Sequence, residues 1–286
     1  MNKIVFAKMV ATGNDFVVID HTGKGAPRVT AAGLSALARE ICSRKTGAGA
    51  DGLLCLEPSA KADFKMRILN PDGSEPAMCG NGARCAALFF VESNARARKR
   101  GSVRFDTGAG ILEAHVAGDQ VKLRMSPPKD LWQNIDLNVG NQFCKVHYIN
   151  TGVPHAVLFV PNVETVNVRD VGRQIRAHKH FHPEGTNVNF VQVIDAKTLR
   201  VRTYERGVED ETLACGTGST ASALIAHYLK LTKKMPLLIR THGGETLTVY
   251  FEFDGTGFSD VWLEGRARKV YDGSYGQSGQ RGGKHV

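Results

Sequence analysis

The alternation of apolar and polar residues predicts a chain built mostly of short strands. Short runs with alternating or β-branched apolar residues, bounded by glycine, proline or aspartate, are typical of strands. In the first half of the chain they are Val17–Asp20, Phe64–Leu69, Val103–Asp106, Ile111–Val116 and Gln120–Met125. In the second half they are Lys145–Val160, Asn187–Val193, Arg200–Glu205, Leu237–Arg240, Thr246–Phe253 and Val261–Arg266. Each half also has one stretch of helical character after a glycine-rich turn, Gly82–Ser93 and Gly218–Leu231.

An internal repeat relates the two halves. A shift of 136 residues, the interval from Cys79 to Cys215, aligns the segment Asn70–Leu88 with Arg206–Leu224. The aligned pairs are Glu75 with Glu211, Gly80 with Gly216, Gly82 with Gly218 and Leu88 with Leu224. A nearby shift of 139 residues pairs Gly13–Ile19 with Gly152–Leu158. Similarity that recurs in the same order indicates two copies of one structural unit.

The repeat and the strand pattern together predict the fold and its domains. We expect an α+β fold with two pseudo-symmetric domains, each a curled, mostly antiparallel sheet or barrel around a central helix. The active site is expected in the cleft between them. The N-terminal half, 1–127, carries Cys79, and the C-terminal half, 128–268, carries Cys215. Residues 273–286 are rich in Gly, Ser and Gln, and we predict that they form a disordered tail.

Composition places the chain among globular proteins of the cytoplasm. Of its 286 residues, 42% are apolar and 23% are charged, which is ordinary for such proteins. No apolar run approaches the roughly 18 residues of a membrane span, and the first sixteen residues lack a signal-peptide pattern. We therefore expect a cytoplasmic protein without a membrane partner.

The net charge of +9 raises a nucleic-acid-binding alternative. Such a protein would bind with an affinity that falls steeply with salt and would tolerate alkylation of its cysteines. The densest basic run, Arg96–Arg100, has no interleaved aromatic residues and stands between a helical pattern and a strand. We interpret it as a solvated loop and expect no nucleic-acid partner.

Cysteine and histidine spacing does not indicate a metal site. The six cysteines, at positions 42, 55, 79, 85, 144 and 215, include no CxxC pair and no Cys/His zinc spacing, so we expect reduced thiols. Cys42 and Cys55 lie within apolar patterns, and Cys85 lies inside a predicted helix, as core residues do. The cluster His178–His182 would put three imidazoles on one face of a strand, but no carboxylate or thiol completes a site, so a loop is the favoured interpretation.

Cys79 and Cys215 differ from the other cysteines because each stands just before a Gly-x-Gly and a helix. The unpaired amides and positive dipole end at a helix N-terminus favour a thiolate and can also hold a substrate carboxylate. Inversion of an amino-acid α-carbon needs a base on one face and an acid on the other. Two matched cysteines therefore indicate proton transfer by a thiolate and a thiol.

These residues resemble the diaminopimelate epimerase family. The blocks that carry the resemblance occur in the family's order over about residues 4–270: Gly13–Phe16, Gly49–Gly52, Asn70–Glu75, Met78–Cys85, Thr151–His155, Gly185–Phe190, Tyr204–Gly207 and Glu211–Gly218. The resemblance implies epimerisation of LL-2,6-diaminopimelate to the meso form, in lysine and peptidoglycan precursor synthesis. It also implies that neither pyridoxal phosphate nor any other cofactor takes part.

The resemblance also implies roles for individual residues. Cys79 and Cys215 match the two catalytic cysteines, and His155 and Glu205 match residues that tune their acidity. Substrate-contacting positions are matched by Asn14, Asn70, Gly80, Asn81, Asn187, Glu205, Arg206, Gly216 and Thr217. Two positions depart from the family: Gly52 stands where some members have Gln, and Val153 where many have Asn. We expect Val153 to leave one distal substrate contact missing or supplied by another residue.

The alternative enzymes are other members of the same fold. Proline and hydroxyproline racemases tend to carry His where Asn81 stands, and a monocarboxylate substrate has less use for Arg206. Isomerases of the phenazine-synthesis group lack the cysteine pair. The expected partner is a small-molecule substrate, and the sequence does not distinguish a homodimer from a monomer.

Overall fold

The computed structural model describes residues 3–23, 30–140 and 142–276, with only the main chain of Gln142. These residues form two compact units. The first contains the described residues up to Asp119 together with those from Ala267 onward, and the second is Gln120–Arg266. The division thus falls at Asp119 rather than at the Pro127-Pro128 boundary expected from the sequence, because the strand Gln120–Arg124 pairs inside the second unit.

The first unit is a sheet of seven strands with three helices. Its strands are β1 (Lys3–Ala11), β2 (Asn14–Asp20), β3 (Gly52–Glu57), β4 (Phe64–Leu69), β5 (Ser102–Thr107), β6 (Gly110–Ala117) and β17 (Arg268–Gly276). Its helices are α1 (Ala31–Ile41), α2 (Gly80–Ser93) and α3 (Ala95–Arg100). The strands pair in the order β17, β1, β2, β3, β4, β5, β6, with β2–β3 and β4–β5 parallel and the other pairs antiparallel.

The second unit repeats this arrangement with additional strands. Its strands are β7 (Gln120–Arg124), β8 (Lys129–Val139), β9 (Gln142–Asn150), β10 (Pro154–Phe159), β11 (Asn187–Val193), β12 (Thr198–Glu205), β13 (Asp210–Thr212), β14 (Leu237–Thr241), β15 (Thr246–Phe253) and β16 (Phe258–Arg266). Its helices are α4 (Val168–Arg176) and α5 (Gly216–Tyr228). Strands β8 to β12 pair in chain order, β12 continues to β14, β15, β16 and β7, and β13 is an antiparallel partner of β12.

The internal repeat appears in the strand pairing. From β1 to β6, successive pairs are antiparallel, parallel, antiparallel, parallel and antiparallel. The series β9, β10, β11, β12, β14, β15 gives the same order. Gly13 and Gly152, aligned by the 139-residue shift, both occupy turns with positive φ, 84° and 107°. The predicted α+β fold of two pseudo-symmetric, mostly antiparallel domains is confirmed.

Each unit is organised around one central helix. Helix α2 contacts β17 and every strand from β1 to β6, and α5 contacts β9 to β12 and β14 to β16. Both helices are buried over most of their length and rich in Gly, Ala, Ser and Thr, whose small side chains let the strands approach closely. None of the helices in the described ranges is long and apolar enough to cross a membrane.

Two sequence predictions need correction. The basic run Arg96–Arg100 is helical rather than a loop, because Asn94 accepts a hydrogen bond from the Ala97 amide and Gly101 ends the helix with φ 67°. Its basic side chains are solvated, as expected. Residues Gly273–Gly276 are not a disordered tail but the end of β17, held by hydrogen bonds to β1. The rest of the predicted tail, 277–286, lies outside the described residues.

The histidine cluster does not form the strand that a metal site would need. His178 caps a short 3₁₀ helix, Lys179–Phe181, so the three imidazoles do not alternate along one face. Within residues 3–23, 30–140 and 142–276, no three His, Cys, Asp or Glu side chains are grouped as metal ligands.

Candidate active site

Cys215 is the N-cap residue of α5. Its backbone is extended, and its sulfur accepts a hydrogen bond from the Gly218 amide at 3.4 Å. The Thr217 hydroxyl lies 3.4 Å from the same sulfur, and the Thr151 hydroxyl donates to the Thr217 carbonyl at 3.0 Å. Cys215 is 8% exposed, and its sulfur lies at the positive end of a thirteen-residue helix. This environment stabilises negative charge on sulfur.

Cys79 holds the same place in the first unit. It is the N-cap residue of α2, again with extended backbone, and its side chain is half-buried. The sequence predicts helix starts at Gly82 and Gly218, but the helices begin two residues earlier. The first glycine of each Gly-x-Gly motif, Gly80 or Gly216, already has helical conformation. The prediction that both cysteines stand at helix N-termini is therefore confirmed for each unit.

Matched ion pairs hold the segment that leads to each cysteine. Glu75 accepts two hydrogen bonds from the Arg67 guanidinium, at 2.7 and 2.6 Å. Glu211 accepts two from Arg202, at 2.6 and 2.7 Å. Each arginine lies on a strand that precedes the cysteine in the chain, β4 or β12, and each glutamate lies four residues before the cysteine. Bidentate pairs of this kind fix geometry as well as charge, so both repeats position the cysteine segment in the same way.

Two of the expected substrate contacts in the first unit belong to one hydrogen-bonded chain. Buried Arg84 donates to the Asn81 side-chain oxygen at 2.5 Å, and the Asn81 amide donates to the Asn14 oxygen at 2.6 Å. The Asn14 amide then donates to Asp51 at 3.0 Å. A guanidinium only donates and a carboxylate only accepts, so the two ends fix the orientation of both amides. Each amide keeps one N–H and one lone pair for another partner.

Removing the acceptor at the end of this chain should weaken substrate binding. In Asp51→Asn the new side chain can turn its own N–H toward Asn14, so the Asn14 amide loses its fixed orientation. We expect KM to rise about tenfold with kcat nearly unchanged, equivalent to about 1.4 kcal/mol of binding. Steady-state kinetics would measure this, with Asp20→Asn as a control on an exposed carboxylate outside the chain. An unchanged KM would show that Asn14 does not depend on Asp51.

In the second unit, Asn187 and Arg206 are bonded to each other. The Asn187 oxygen accepts from the Arg206 amide at 2.9 Å, and its own amide donates to the Pro154 carbonyl at 3.0 Å. The Arg206 guanidinium donates through Nη1 to the carbonyls of Glu184 and Gly185, at 3.1 and 3.4 Å. Glu205 precedes Arg206 at the end of β12, and burial raises the pKa of its carboxyl. The end of β12 thus carries a carboxyl and a guanidinium on neighbouring residues, and Asn187 bonds the main chain of the second.

His155 is fully buried on β10. Its Nδ1 lies 3.0 Å from the Asn189 side-chain amide, and its Nε2 has no hydrogen-bond partner in the part of the chain that the structure describes. Burial, helped by the positive charge of Arg206, lowers the pKa of His155 from its ordinary value of 6.5 to about 3. The imidazole is therefore neutral at physiological pH.

The low pKa of His155 predicts a loss of stability in acid. Below pH 6.5 the unfolded chain protonates this residue and the folded protein does not, so the unfolded state gains free energy of protonation. The part of the free energy of unfolding that depends on a neutral His155 is fully present above pH 6.5 and is lost as the pH falls toward about 3. Over that interval the free energy of unfolding should fall by up to about 1.4 kcal/mol per pH unit more in the wild type than in His155→Phe. Urea unfolding at several pH values would measure the difference, and equal slopes would contradict it.

The remaining predicted site residues, and the two positions that depart from the family, lie in turns or at the starts of helices and strands. Asn70 closes the turn after β4, where its amide donates to the Ser74 hydroxyl at 2.9 Å. A side chain at Gly80 would meet nothing within 4 Å, whereas one at Gly216 would lie 2.9 Å from Leu263. Gly52, which departs from the family pattern, starts β3 against Phe16, and Val153 lies in the turn before β10.

Sequence reasoning missed Asn189 and Arg84. Asn189 is fully buried, and its amide contacts His155. Its side-chain oxygen lies so close to Gly218, at the start of α5, that a methyl group on that glycine would overlap it. The signal was the alternation Asn187-Val-Asn189 in an apolar strand, which puts both amides on one face. For Arg84 the signal was a charged residue three positions after Asn81, in a helix whose other buried residues are apolar or glycine.

Comparisons with known proteins agree with this geometry. A sequence model of diaminopimelate epimerase matches residues 6–130 and 147–267. A diaminopimelate epimerase from Aquifex aeolicus is 44% identical over 275 residues, which cover 94% of this chain and 96% of the relative. One from Chlorobaculum tepidum is 41% identical over 267 residues, with 93% and 99% covered.

Solved structures with more distant sequences share the fold. A hydroxyproline epimerase from Agrobacterium vitis superposes with a TM-score of 0.69 at 18% identity, covering 96% of this chain and 91% of that one. A phenazine biosynthesis protein from Bacillus anthracis gives 0.71 at 18% identity, with 96% and 99% covered. The fold is thus the one shared by these two proteins. Within it, the chain belongs to the diaminopimelate epimerase family.

Proposed function

We propose that this protein interconverts LL-2,6-diaminopimelate and meso-diaminopimelate by moving a proton at one α-carbon, without a cofactor. Family membership supports the substrate, because diaminopimelate epimerases match the chain over nearly its whole length. The chemistry rests on one observation, that each repeat has a cysteine as the N-cap residue of its buried central helix. A structural thiol would not need to recur at that position in both copies.

The proposed reaction uses the two sulfurs in opposite protonation states. One cysteine, as a thiolate, removes the α-proton, and the other, as a thiol, gives a proton to the opposite face of the same carbon. In the reverse direction the roles of Cys79 and Cys215 exchange. The backbone amides at the helix starts can donate hydrogen bonds to the substrate carboxylate and stabilise the charge that it gains as the α-carbon loses its proton.

The polar groups of the second unit support recognition of a substrate with an amino and a carboxylate group at each end. The Nη1 atom of Arg206 is held by two carbonyls, which leaves its other guanidinium nitrogens for a carboxylate. Glu205 can accept from an ammonium group, and burial raises the pKa of its carboxyl above the ordinary value. We propose that Glu205 and His155 tune the acidity of the cysteines.

The proposed activity also indicates where the enzyme works and what it binds. We infer that the enzyme works in the cytoplasm on lysine and peptidoglycan precursors, as its family membership suggests. The reaction requires a small-molecule substrate and no nucleic acid, membrane or protein partner, except at most a second copy of the chain.

A substrate panel tests the proposal. Reduced protein is incubated separately with LL-diaminopimelate, L-proline and trans-4-hydroxy-L-proline, and isomers are separated by chiral chromatography. We expect only diaminopimelate to be converted, with rates unaffected by EDTA or by hydroxylamine, which traps carbonyl cofactors. Conversion of proline or hydroxyproline alone would assign the chain to the alternative racemases. Loss of activity in hydroxylamine would contradict a cofactor-independent reaction.

A further inference from the structure

A buried polar cluster in the second unit contrasts with an apolar one at the same place in the first. His155, Asn189 and Thr203 lie on β10, β11 and β12, and Asn189, which contacts the other two, lies against Gly218 at the start of α5. The matched residues of the first repeat are Phe16, Leu54 and Ile68, on β2, β3 and β4, around Gly82 at the start of α2.

The strand registers establish this correspondence. Asn189 pairs across the sheet with Thr203, and Leu54 pairs with Ile68. Asn189 also pairs with Val157, two residues after His155, as Leu54 pairs with Val18, two residues after Phe16. The fold therefore accepts three apolar side chains at these positions. The polar set of the second repeat is not required by packing, and this points to a role in the chemistry.

The orientation of the Asn189 amide follows from its contacts. One end lies 3.1 Å from the Ala156 carbonyl, which can only accept, so that end is the N–H₂ group. The other end is the oxygen, which accepts from the Thr203 hydroxyl at 3.0 Å and lies against Gly218. A flipped amide would place two oxygens against each other. The Ala156 carbonyl thus leaves one orientation of the amide.

This orientation determines which nitrogen of His155 carries its proton. The N–H₂ group of Asn189 lies 3.0 Å from Nδ1 of His155 and donates to it. Nδ1 therefore presents its lone pair, and the proton of the neutral ring is on Nε2. Nε2–H is a buried donor whose acceptor is not among the residues that the structure describes. Buried donors normally have a partner, so this one is suited to a bound ligand or an ionised group in the active site.

We propose that Asn189 is a positioning residue that holds His155 as its neutral Nε2–H form, so that His155 donates a hydrogen bond to an anion in the active site. The anion is a carboxylate or a thiolate, and the ring does not act as a proton acceptor. The inference rests on the proposed function and refines the role of His155 in it. The same Asn189 oxygen lies against Gly218, whose amide donates to the Cys215 sulfur, so one side chain contacts both the histidine and the cap of α5.

The tautomer can be read directly by NMR. In protein labelled with ¹⁵N-histidine and free of substrate, two-bond correlations between ring protons and nitrogens distinguish Nε2–H, Nδ1–H and the doubly protonated ring. The His155 signal is assigned by its absence in the variant His155→Phe. Phenylalanine is chosen because the first repeat has Phe16 at the matching position. We expect the Nε2–H pattern in the wild type at neutral pH. The Nδ1–H pattern or a protonated ring would overturn the proposal.

Two variants test the part played by Asn189. Asn189→Asp replaces the donor with an acceptor of the same shape, and we expect the proton to move to Nδ1 and kcat to fall about a hundredfold, as when one donor to developing charge is lost. Asn189→Leu copies Leu54, which the fold already accepts. It should remain folded but lose the preference for one tautomer, again with a lower kcat.

Controls separate this inference from the proposed function. Thr203→Ser keeps the hydroxyl that holds the Asn189 oxygen, so it should retain the Nε2–H pattern. Thr241→Ser changes a buried threonine outside this cluster, whose hydroxyl donates to the Glu245 carbonyl, and it should retain nearly wild-type kcat. An unchanged tautomer and unchanged kcat in both Asn189 variants would overturn the proposal. A wild-type protein with the Nε2–H pattern that does not epimerise diaminopimelate would instead contradict the proposed function and leave the tautomer assignment in place.

Discussion

Alanine at Cys215 or at Cys79 should abolish epimerisation while the protein stays folded. Each sulfur is proposed to take or give the α-proton, and a positioned acid or base typically contributes about 10²–10⁴-fold to a rate. We expect kcat to fall by at least that factor in either single variant. Replacement by serine should not restore it, because a hydroxyl is a far weaker acid than a thiol. Chiral chromatography of the products measures the residual rate, and circular dichroism checks the fold.

The other cysteines supply matched controls for this experiment. Cys42 is buried like Cys215, and burial raises the pKa of its thiol to about 11. Cys144 is half-buried like Cys79, and burial raises its pKa as well. Such thiols stay protonated at neutral pH, so Cys42→Ala and Cys144→Ala should keep most of the activity. Near-normal turnover in Cys79→Ala or Cys215→Ala would refute the use of both sulfurs.

The second large effect is expected at Gly218. Alanine there would bring its methyl group into overlap with the Asn189 side-chain oxygen and within 3.3 Å of the Cys215 Cβ. Asn189 cannot move without losing its bonds to His155, Ala156 and Thr203. Overpacking of a buried site costs about 1–3 kcal/mol, and we expect the upper end of that range in urea unfolding, together with loss of activity.

Gly82 is the matched control because the repeat places it at the same point of α2. A methyl group there would lie 3.1 Å from a Leu54 methyl carbon, which can shift by a rotamer adjustment. The gain in helix propensity of about 1 kcal/mol from Gly to Ala offsets part of the cost. Gly82→Ala should therefore change stability by less than about 1 kcal/mol. Equal destabilisation at both glycines would contradict the packing assigned to Asn189.

The sequence predicted those parts of the fold that depend on local pattern and on the repeat. The two central helices, the matched cysteines at their starts and most of the strands could be recognised because they recur in both halves. The strand Arg268–Gly276 could not, since its Gly-rich end has little intrinsic strand preference and is held by β1, more than 260 residues earlier in the chain. Helices α1 and α4 were also missed, although Thr30 and Asn167 cap them with side-chain hydrogen bonds.

The site was predictable to the extent that residue types alone carry chemistry. Cysteines before Gly-x-Gly, and an arginine next to a glutamate, suggested their roles without coordinates. The orientation of the Asn14 and Asn81 amides was not predictable, because it depends on Arg84 and Asp51 at the two ends of a chain of contacts. The tautomer of His155 likewise depends on a carbonyl, a hydroxyl and a glycine that two other strands and a helix bring to Asn189.

The measurement that most directly tests two-base proton transfer is the isotope content of both isomers early in the reaction. LL-diaminopimelate is incubated with reduced wild-type protein in D₂O, and the remaining substrate and the meso product are analysed by proton NMR and mass spectrometry while conversion is still small. With separate acid and base, the product gains solvent deuterium at the inverted carbon, and the remaining substrate keeps its protium. Product that retains substrate-derived hydrogen, or substrate that exchanges as fast as product forms, would indicate a single base and contradict the paired roles of Cys79 and Cys215.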